Sequence, residues 1–347
     1  MKKRTIISCV CLVLATLLLW QFATLLLQPK YMTKTQEGAL IAEYYNEKAP
    51  SHDVLFIGDC EVYESFTPPT LWEEYGITSY IRGSAQQLAW HSYYLLEDTL
   101  RYETPKAVVY NVLALKYGEP QSEVYNRMTL DGMELSLTKL EAIYASMTEG
   151  ESLASYLFPL LRYHSRFGEL TAEDFRYLFS RDTVSHNGYL MQTEIRPGKS
   201  QIPPSPLADY TLPERSMEYL EKMRVLCAEK GIELILIKAP TNDRKYHWYD
   251  EWDEQICAYA AENGLAYYNF INQVDEIGID WSTDTYDEGV HLNVYGAEKL
   301  SRYFGEILQK NHEIADRRSE IETASRWQTR VDAYYEEKRS KEGTNKK

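Results

Sequence analysis

The chain has 347 residues, of which 44% are hydrophobic and 26% charged, a length and composition that fit one globular domain with extensions or two smaller domains. Its 52 acidic residues outnumber its 37 basic residues, giving a formal net charge of -15. Such a surface repels nucleic acid and gains nothing from anionic lipid, so both are excluded as general partners.

The first 30 residues predict a membrane anchor. Residues 2–4 are basic and precede an uncharged, apolar stretch over residues 5–28, whereas about 20 apolar residues suffice to cross a bilayer. The basic flank predicts a cytoplasmic N-terminus and an extracytoplasmic main domain after Lys30. A cleaved signal peptide is the alternative, but residues 25–29 (Leu-Leu-Leu-Gln-Pro) offer no Ala-x-Ala-like cleavage site. We therefore expect a single-pass signal anchor, with the lipid bilayer as a partner of this helix.

Strands and helices alternate over most of the chain after residue 53. Short apolar runs predict buried strands, and longer amphipathic stretches predict helices between them. The predicted strands are residues 53–57, 77–81, 107–110, 232–237 and 265–269, and the predicted helices are residues 62–75, 85–102, 214–230, 249–263 and 294–309. This order predicts an α/β fold with a doubly wound parallel sheet of about five strands and a site beyond the carboxyl ends of the strands.

The alternation breaks in the middle of the chain and ends before the C-terminus. Residues 119–213 contain helical pieces, a proline-rich segment at 202–206 and a predicted strand pair over 188–197. We interpret them as a mainly helical insertion that caps the sheet's edge, with a separate partner-binding subdomain as the alternative. The charged tail lacks a broad apolar face and is predicted to become disordered after a short helix. The predicted organisation is an anchor (1–30), a connector (31–52), an α/β domain (53–118 and 214–310), the insertion (119–213) and the tail (311–347).

Small and polar residues follow the first three predicted strands. Residues 58–60 (Gly-Asp-Cys) follow the first strand, Gly83 follows the second and Asn111 the third, while residues 287–291 (Asp-Glu-Gly-Val-His) precede the last helix. This ordered set resembles the SGNH/GDSL hydrolases, which place a Gly-Asp-Ser turn, a glycine, an asparagine and an Asp-x-x-His motif at these points. The resemblance extends from about residue 53 to residue 309. It is greatest to membrane-anchored members such as the teichoic-acid D-alanine transfer and polysaccharide O-acetylation proteins.

Two positions depart from the family's pattern. Cys60 stands where the family has its nucleophilic serine. The acid three residues before His291 is Glu288, whereas Asp287 lies four residues before it. The family's spacing favours Glu288 and its preferred residue type favours Asp287. We favour Asp287, which would reach the ring if the loop bulges, and keep Glu288 as the alternative.

The resemblance implies acyl transfer through a thioester on Cys60. His291 would act as general base and then as acid, while the carboxylate fixes its tautomer. A thiolate is a strong nucleophile, and an adjacent imidazole can lower the pKa of a cysteine well below about 8.5. The N–H groups of Cys60 and Gly83 and the amide of Asn111 would form the oxyanion hole. Water or a sugar hydroxyl would accept the acyl group.

Each candidate also has a structural explanation. Cys60 fits a small buried residue of an inactive protein, and Asp59, a substrate-binding candidate, could instead cap the next helix. Gly83 could serve a turn and Asn111 a strand end.

The remaining cysteines and the insertion give weaker signals. Cys227 and Cys257 could form a disulfide or remain free thiols, and Cys60 is left over in either case. Arg162, His164 and Arg166 could bind a phosphate or an acidic sugar, with a solvated loop face as the alternative. The chain has no metal-ligand spacing, phosphate loop or dinucleotide fingerprint, so we expect no metal and no cofactor.

These observations predict a cell-envelope esterase or acyltransferase. Its substrate, a cell-surface glycan or acyl carrier, and a polytopic membrane O-acyltransferase as partner are implied by the resemblance alone. The alternative is a catalytically inactive SGNH-like module that binds glycan or scaffolds that partner. A redox or acyl-carrier role for Cys60, which would not need His291, is a third hypothesis.

Overall fold

The computed structural model of the protein describes residues 2–28, 36–47, 49–176, 178–179, 183–199, 205–242 and 248–345. Within them, five parallel strands form one sheet in the order β2-β1-β3-β4-β5. The strands are β1 (Val54–Gly58), β2 (Ser79–Gly83), β3 (Ala107–Asn111), β4 (Glu233–Lys238) and β5 (Ala266–Asn269). The predicted α/β fold with five parallel strands is confirmed.

Helices cover both faces of the sheet. In the described residues they are α1 (Lys2–Leu27), α2 (Gln36–Glu43), α3 (Cys60–Ser65), α4 (Pro68–Tyr75), α5 (Ala89–Thr99), α6 (Glu123–Leu130), α7 (Leu137–Ser146), α8 (Leu153–Leu157), α9 (Leu160–Tyr163), α10 (Ala172–Arg176), α11 (Glu214–Lys230), α12 (Asp250–Asn263), α13 (Val274–Ile277), α14 (Val294–Asn311) and α15 (Ile321–Asn345). Helices α3, α4, α14 and α15 pack on one face, and α5, α11 and α12 pack on the other.

The strands read as continuous apolar runs because both of their faces are buried. Phe56 and Val109 point into one core, whereas Leu55 and Val108 point into the other. All four side chains are fully buried. Parallel pairing brings the carboxyl ends of β1, β2, β3 and β4 to one edge, which is where the polar residues of the sequence motifs follow the strands.

Helix α15 shows that the prediction of a disordered tail is wrong. It extends over 25 residues and buries Trp327, Val331 and Tyr334, which are spaced four and three residues apart. The Trp327 ring stacks on Trp72 of α4, with ring centroids 5.4 Å apart. This apolar stripe is narrow, so a sequence dominated by charged residues concealed it.

The predicted strand pair over residues 188–197 is also wrong. Those residues form no named strand; instead their extended chain hydrogen-bonds to the loop that precedes α14. The N–H of Val294 donates to Gln192 O at 2.7 Å, the N–H of Arg196 donates to Thr285 O at 3.0 Å, and the N–H of Gly198 donates to a carbonyl of the same loop. The end of the insertion therefore supports the loop that carries residues 287–291. Most of the predicted proline-rich segment lies outside the described residues.

Helix α1 matches the predicted anchor in length and composition. The helix over Lys3–Leu27 contains an apolar stretch with a mean hydropathy of 2.3, and none of that stretch is buried against the rest of the protein. One such helix near an N-terminus is long and apolar enough to span a membrane or to act as a signal anchor.

Candidate active site

The turn after β1 places Cys60 at the carboxyl edge of the sheet. A Cβ atom on Gly58 would lie 2.5 Å from Val62 Cγ2 and 3.0 Å from Asn111 Cβ, so only glycine fits where the turn crosses the end of β3. The Asp59 carboxylate accepts a hydrogen bond from the N–H of Glu61 at 3.2 Å and caps α3. Cys60 is therefore the first residue of a helix, where backbone N–H groups lack intrahelical partners.

The loop before α14 brings His291 to Cys60. His291 Nε2 lies 3.0 Å from Cys60 Sγ, and its Nδ1 lies 2.6 Å from Asp287 Oδ2. Asp287 Oδ1 also accepts the backbone N–H of His291 at 2.8 Å, so one carboxylate fixes both the ring and the chain. These three side chains form a continuous thiol–imidazole–carboxylate chain, the arrangement of a nucleophile, a base and an orienting acid.

The backbone explains why Asp287 rather than Glu288 faces the ring. Glu288 has φ 71 and Gly289 has φ 106, so two successive residues are left-handed and the loop bulges. This bulge turns Glu288 toward solvent, where it pairs with Lys199. The structure thus brings Asp287 to His291 and leaves Glu288 on the surface.

Glu64 is a second acid at the imidazole, and the sequence analysis missed it. Its Oε2 lies 3.4 Å from His291 Nδ1, and its Oε1 accepts a hydrogen bond from Tyr286 Oη at 2.8 Å. The side chain is buried. Glu64 follows Cys60 by four residues on α3, so the two share a helix face. The helix was predicted to start two residues too late, at residue 62, which hid this relation.

Burial, rather than the neighbouring imidazole, has the largest effect on the pKa of the Cys60 thiol. It raises the pKa of Cys60 to about 11, with the charges of Asp59 and Glu64 adding to the shift and His291 opposing it. Burial therefore opposes the lowering of the thiol pKa that the neighbouring imidazole provides. At pH 7 such a thiol is protonated, so a reaction at Cys60 Sγ would need His291 to remove the proton in the same step.

The same acids favour the charged form of His291. Burial disfavours the imidazolium, but the negative charge of Glu64, the hydrogen bond to Asp287 and, when the thiol is ionised, the charge of Cys60 outweigh it and raise the pKa of His291 well above its usual value. An imidazole accepts a proton only when it is neutral. The rate of a reaction that uses His291 as base therefore increases as the pH rises through its raised pKa.

A buried polar network lies beneath the nucleophile turn. Asn111 Nδ2 donates to Asp59 Oδ1 at 3.1 Å and to Glu61 Oε2 at 2.9 Å. Lys238 Nζ donates to both oxygens of Glu61 at 2.8 Å and to Ala239 O at 2.6 Å. Burial and the charge of Glu61 raise the pKa of Asp59 to about 6. Both amide hydrogens of Asn111 are therefore engaged by carboxylates. Donation by Asn111 to an oxyanion stays a prediction, and it requires the hydrogen bond to Asp59 or to Glu61 to break.

Replacing Lys238 with methionine is expected to lower the free energy of unfolding by about 3–5 kcal/mol, because the Glu61 carboxylate would stay buried without its cation. The double variant Glu61→Gln/Lys238→Met should recover part of this loss. The measurement is urea unfolding followed by tryptophan fluorescence. Lys310→Met is the matched control, since Lys310 pairs with Glu306 on the surface and such a pair contributes about 0–1 kcal/mol. Equal effects of Lys238→Met and Lys310→Met would contradict a structural role for the buried pair.

Gly83 packs directly against the nucleophile turn. A Cβ atom there would lie 3.1 Å from both Gly58 O and Tyr63 Cδ1, so this close approach explains a glycine at the end of β2. Its N–H as an oxyanion donor stays a prediction.

A small cavity opens beside the thiol. Its volume is about 40 Å³, enough for a few water molecules or a short acyl group, because about 10–15 Å³ accommodates one water. Gln86, which lines it, has φ 50, an uncommon backbone conformation for a residue other than glycine. No sequence motif indicated Gln86. The other lining residues are Asp59, Cys60, Glu61, Leu88, Leu113, Ala114, Tyr117, Val290 and His291.

The basic cluster of the insertion is not part of this cavity's lining. Arg162 Nε donates to Glu123 at 2.9 Å, and His164 Nδ1 lies 3.3 Å from Leu161 O. Arg166 binds carbonyl oxygens at the end of α1 and pairs with Asp174. The structure therefore does not bring this cluster to Cys60, because its cations have partners within the insertion and the anchor.

The other cysteines do not form the disulfide that the sequence allowed. Cys227 is buried on α11, Cys257 is exposed on α12, and both are free thiols. Among the described residues, no group of three or more His, Cys, Asp or Glu side chains is arranged to hold a metal ion.

Two solved structures of acylhydrolase or lipase type align with this chain at low similarity. A protein of Bacteroides fragilis assigned as an acylhydrolase aligns over 78% of this chain and 94% of its own, with a TM-score of 0.38 and 12% identity. A GDSL-like lipase of Bacteroides thetaiotaomicron aligns over 78% of this chain and 95% of its own, with a TM-score of 0.36 and 14% identity. No family model and no curated protein matches the sequence. These likenesses assign no activity to this chain.

Proposed function

We propose that the protein is an SGNH-like esterase or acyltransferase that works through a thioester on Cys60. The observation that carries the proposal is the chain of contacts from Cys60 Sγ to His291 Nε2, at 3.0 Å, and from His291 Nδ1 to Asp287 Oδ2, at 2.6 Å. It lies at the carboxyl edge of a parallel sheet, where α/β proteins bind their ligands.

These three side chains account for every proton transfer in the proposed reaction. As Cys60 Sγ attacks the acyl carbonyl carbon, His291 Nε2 accepts the thiol proton and then gives it to the departing alkoxide. The product is an acyl thioester and a free alcohol. Water or an acceptor hydroxyl next attacks the thioester while His291 takes its proton, and the proton returns to the sulfur. The N–H groups of Cys60 and Gly83 are the proposed donors to the oxyanion in both steps.

The proposed substrates are short acyl esters of a cell-surface glycan or an acyl carrier. The cavity of about 40 Å³ beside Cys60 supports a short acyl group such as acetyl, which has three heavy atoms. The apolar helix α1 supports an extracytoplasmic location through its length and its basic N-terminal flank. A polytopic membrane O-acyltransferase, the partner implied by the family resemblance, remains a proposal; it would supply acyl groups from across the bilayer, which a single helix cannot carry.

The test is to trap the acyl group on the full-length protein in nanodiscs. After brief exposure to p-nitrophenyl acetate at mildly alkaline pH and an acid quench, mass spectrometry should find one acetyl group on the peptide that contains Cys60. The His291→Ala variant keeps every thiol and should lose this adduct. An adduct on Cys257 or elsewhere but none on Cys60 would contradict the proposed mechanism.

The alternative is a catalytically inactive module that binds a glycan or scaffolds the acyltransferase. Two observations favour it: the raised pKa of the Cys60 thiol and the engagement of the Asn111 amide by Asp59 and Glu61. An inactive module needs neither a thioester nor a base at position 291. The same trapping experiment therefore separates the two functions, because an inactive module yields the same mass spectrum with and without His291.

A further inference from the structure

The phenylalanines of the protein are divided between its core and the region around α1. Of nine phenylalanines, the four in the α/β domain are fully buried. The other five are exposed, and all of them lie either in α1 or in residues 158–179 of the insertion. The exposed ones are Phe22, at 47%, Phe158, at 49%, Phe167, at 75%, Phe175, at 47%, and Phe179, at 88%. Exposed phenylalanines confined to one region indicate a surface that is covered by something apolar.

This part of the insertion is attached to the C-terminal end of α1. Arg166 Nη1 donates to Leu27 O at 2.8 Å and to Gln28 O at 2.9 Å, and so satisfies carbonyl groups that the helix leaves unpaired. Arg166 Nη2 lies 3.3 Å from the buried carboxylate of Asp174, whose other oxygen accepts the N–H of Thr171 at 2.7 Å. The ion pair therefore fixes α9 and α10 beside the point where α1 ends.

The contact between Trp20 and Phe158 gives the depth of this surface along α1. The two rings meet edge to face with centroids 6.2 Å apart. Trp20 precedes Leu27 by seven residues, and a helix rises about 1.5 Å per residue, so Phe158 lies about 10 Å inside the end of the apolar span. Amphipathic segments that lie in a membrane interface bury their apolar side chains to about 5–10 Å. If α1 spans a bilayer, Phe158 lies at that depth.

We infer that residues 153–176, 178 and 179, the membrane-facing platform, insert their exposed apolar side chains into the outer leaflet around α1. This inference depends on the proposed membrane anchor but not on the proposed catalysis. Lipid is the occupant that the geometry favours, because α9 and α10 lie against α1, Phe158 contacts Trp20 at that depth, and the most apolar stretch of α1 is not buried against the rest of the protein. Two of the platform's arginines then have structural roles that need no bound substrate. Arg166 caps α1, and Arg162 pairs with Glu123.

The experiment places the photoreactive residue p-benzoylphenylalanine, one site at a time, in the full-length protein in native membranes. Positions Phe167 and Phe179 test the platform, Leu18 in α1 reports on the anchor, and Ile321 on α15 is an apolar control that is 86% exposed. After irradiation, mass spectrometry should find about tenfold more lipid adduct at the two platform positions than at position 321, and an amount similar to that at position 18.

Each other outcome has a defined meaning. Lipid adducts at Leu18 but none at Phe167 or Phe179 would overturn the platform and leave the anchor intact. Adducts of Phe167 and Phe179 with a membrane protein instead of lipid would overturn lipid as the occupant and assign this face to a protein partner. The absence of lipid adducts at Leu18 would refute the anchor on which the platform depends, whatever the acyl-trapping experiment shows.

Discussion

Replacing Cys60 with alanine is expected to lower kcat/KM for p-nitrophenyl acetate by about 10⁴–10⁶, whereas Cys60→Ser should retain activity within about 100-fold of the natural protein. Alanine removes the atom that forms the covalent intermediate. Serine keeps a nucleophile 3.0 Å or slightly more from His291 Nε2. A site that depends on a preformed thiolate loses its activity with serine, but this site leaves the thiol protonated until His291 acts, as a serine site does.

The pH dependence of alkylation tests the same argument. Only the thiolate reacts with iodoacetamide, so a pKa of about 11 predicts slow alkylation of Cys60 at pH 7 and a rate that still rises above pH 9. His291→Ala should move the midpoint higher, since His291 lowers the thiol pKa. The four other cysteines are replaced in both proteins so that one thiol reports. A midpoint below pH 8 would contradict the protonated resting state, and Cys60→Ser should then be inactive.

The nucleophile turn could be predicted from the sequence because several local constraints coincide there. An apolar run that ends in Gly-Asp-Cys predicts a buried strand, a tight turn and a capped helix, and the structure contains all three at residues 54–65. The parallel topology followed from the alternation of strands and helices and placed Asn111 at the same edge as Cys60. Residues close in sequence to a strand end can therefore be assigned to the site without knowing the tertiary packing.

Contacts between distant segments could not be predicted in this way. Lys238 and Glu61 are 177 residues apart, and nothing in the sequence indicates that the lysine at the end of β4 pairs with Glu61 rather than with another acid. The support of the 287–291 loop by residues 192–199 is made mostly of backbone hydrogen bonds, which carry no side-chain pattern. Helix α15 buries three residues among many charged ones, and only the complementary surface of α4 makes that stripe significant.

The two proposed functional regions of the protein, the Cys60 site and the membrane-facing platform, depend on different physical effects. The Cys60 site depends on burial and on a sequence of hydrogen bonds ending at Asp287. The membrane-facing platform depends on the hydrophobic effect at its exposed apolar side chains and on the cap that Arg166 makes on α1. Because these parts share no side chain, a loss of membrane contact should leave thiol chemistry unchanged, and a loss of His291 should leave the lipid adducts unchanged.

Asp287→Asn is expected to lower kcat/KM by about 10³–10⁴ at neutral pH. The asparagine amide keeps the size of the carboxylate, and its oxygen can still accept the backbone N–H of His291. Its NH₂ group, however, would face Nδ1 and favour the tautomer whose hydrogen is on Nε2, pointing at Cys60 Sγ. That imidazole cannot accept the thiol proton. The measurement is the pH–rate profile with p-nitrophenyl acetate, with circular dichroism to verify that the variant is folded.

Glu288→Gln is the matched control, since it makes the same change one residue away. Glu288 is partly exposed and pairs with Lys199, and such surface pairs contribute about 0–1 kcal/mol, so its activity should change little. A large loss of activity in Glu288→Gln and none in Asp287→Asn would instead identify Glu288, the residue that the family's spacing favours, as the acid that orients His291. Residual activity in Asp287→Asn that disappears in Asp287→Asn/Glu64→Gln would identify Glu64, 3.4 Å from Nδ1, as the acid that partly replaces Asp287.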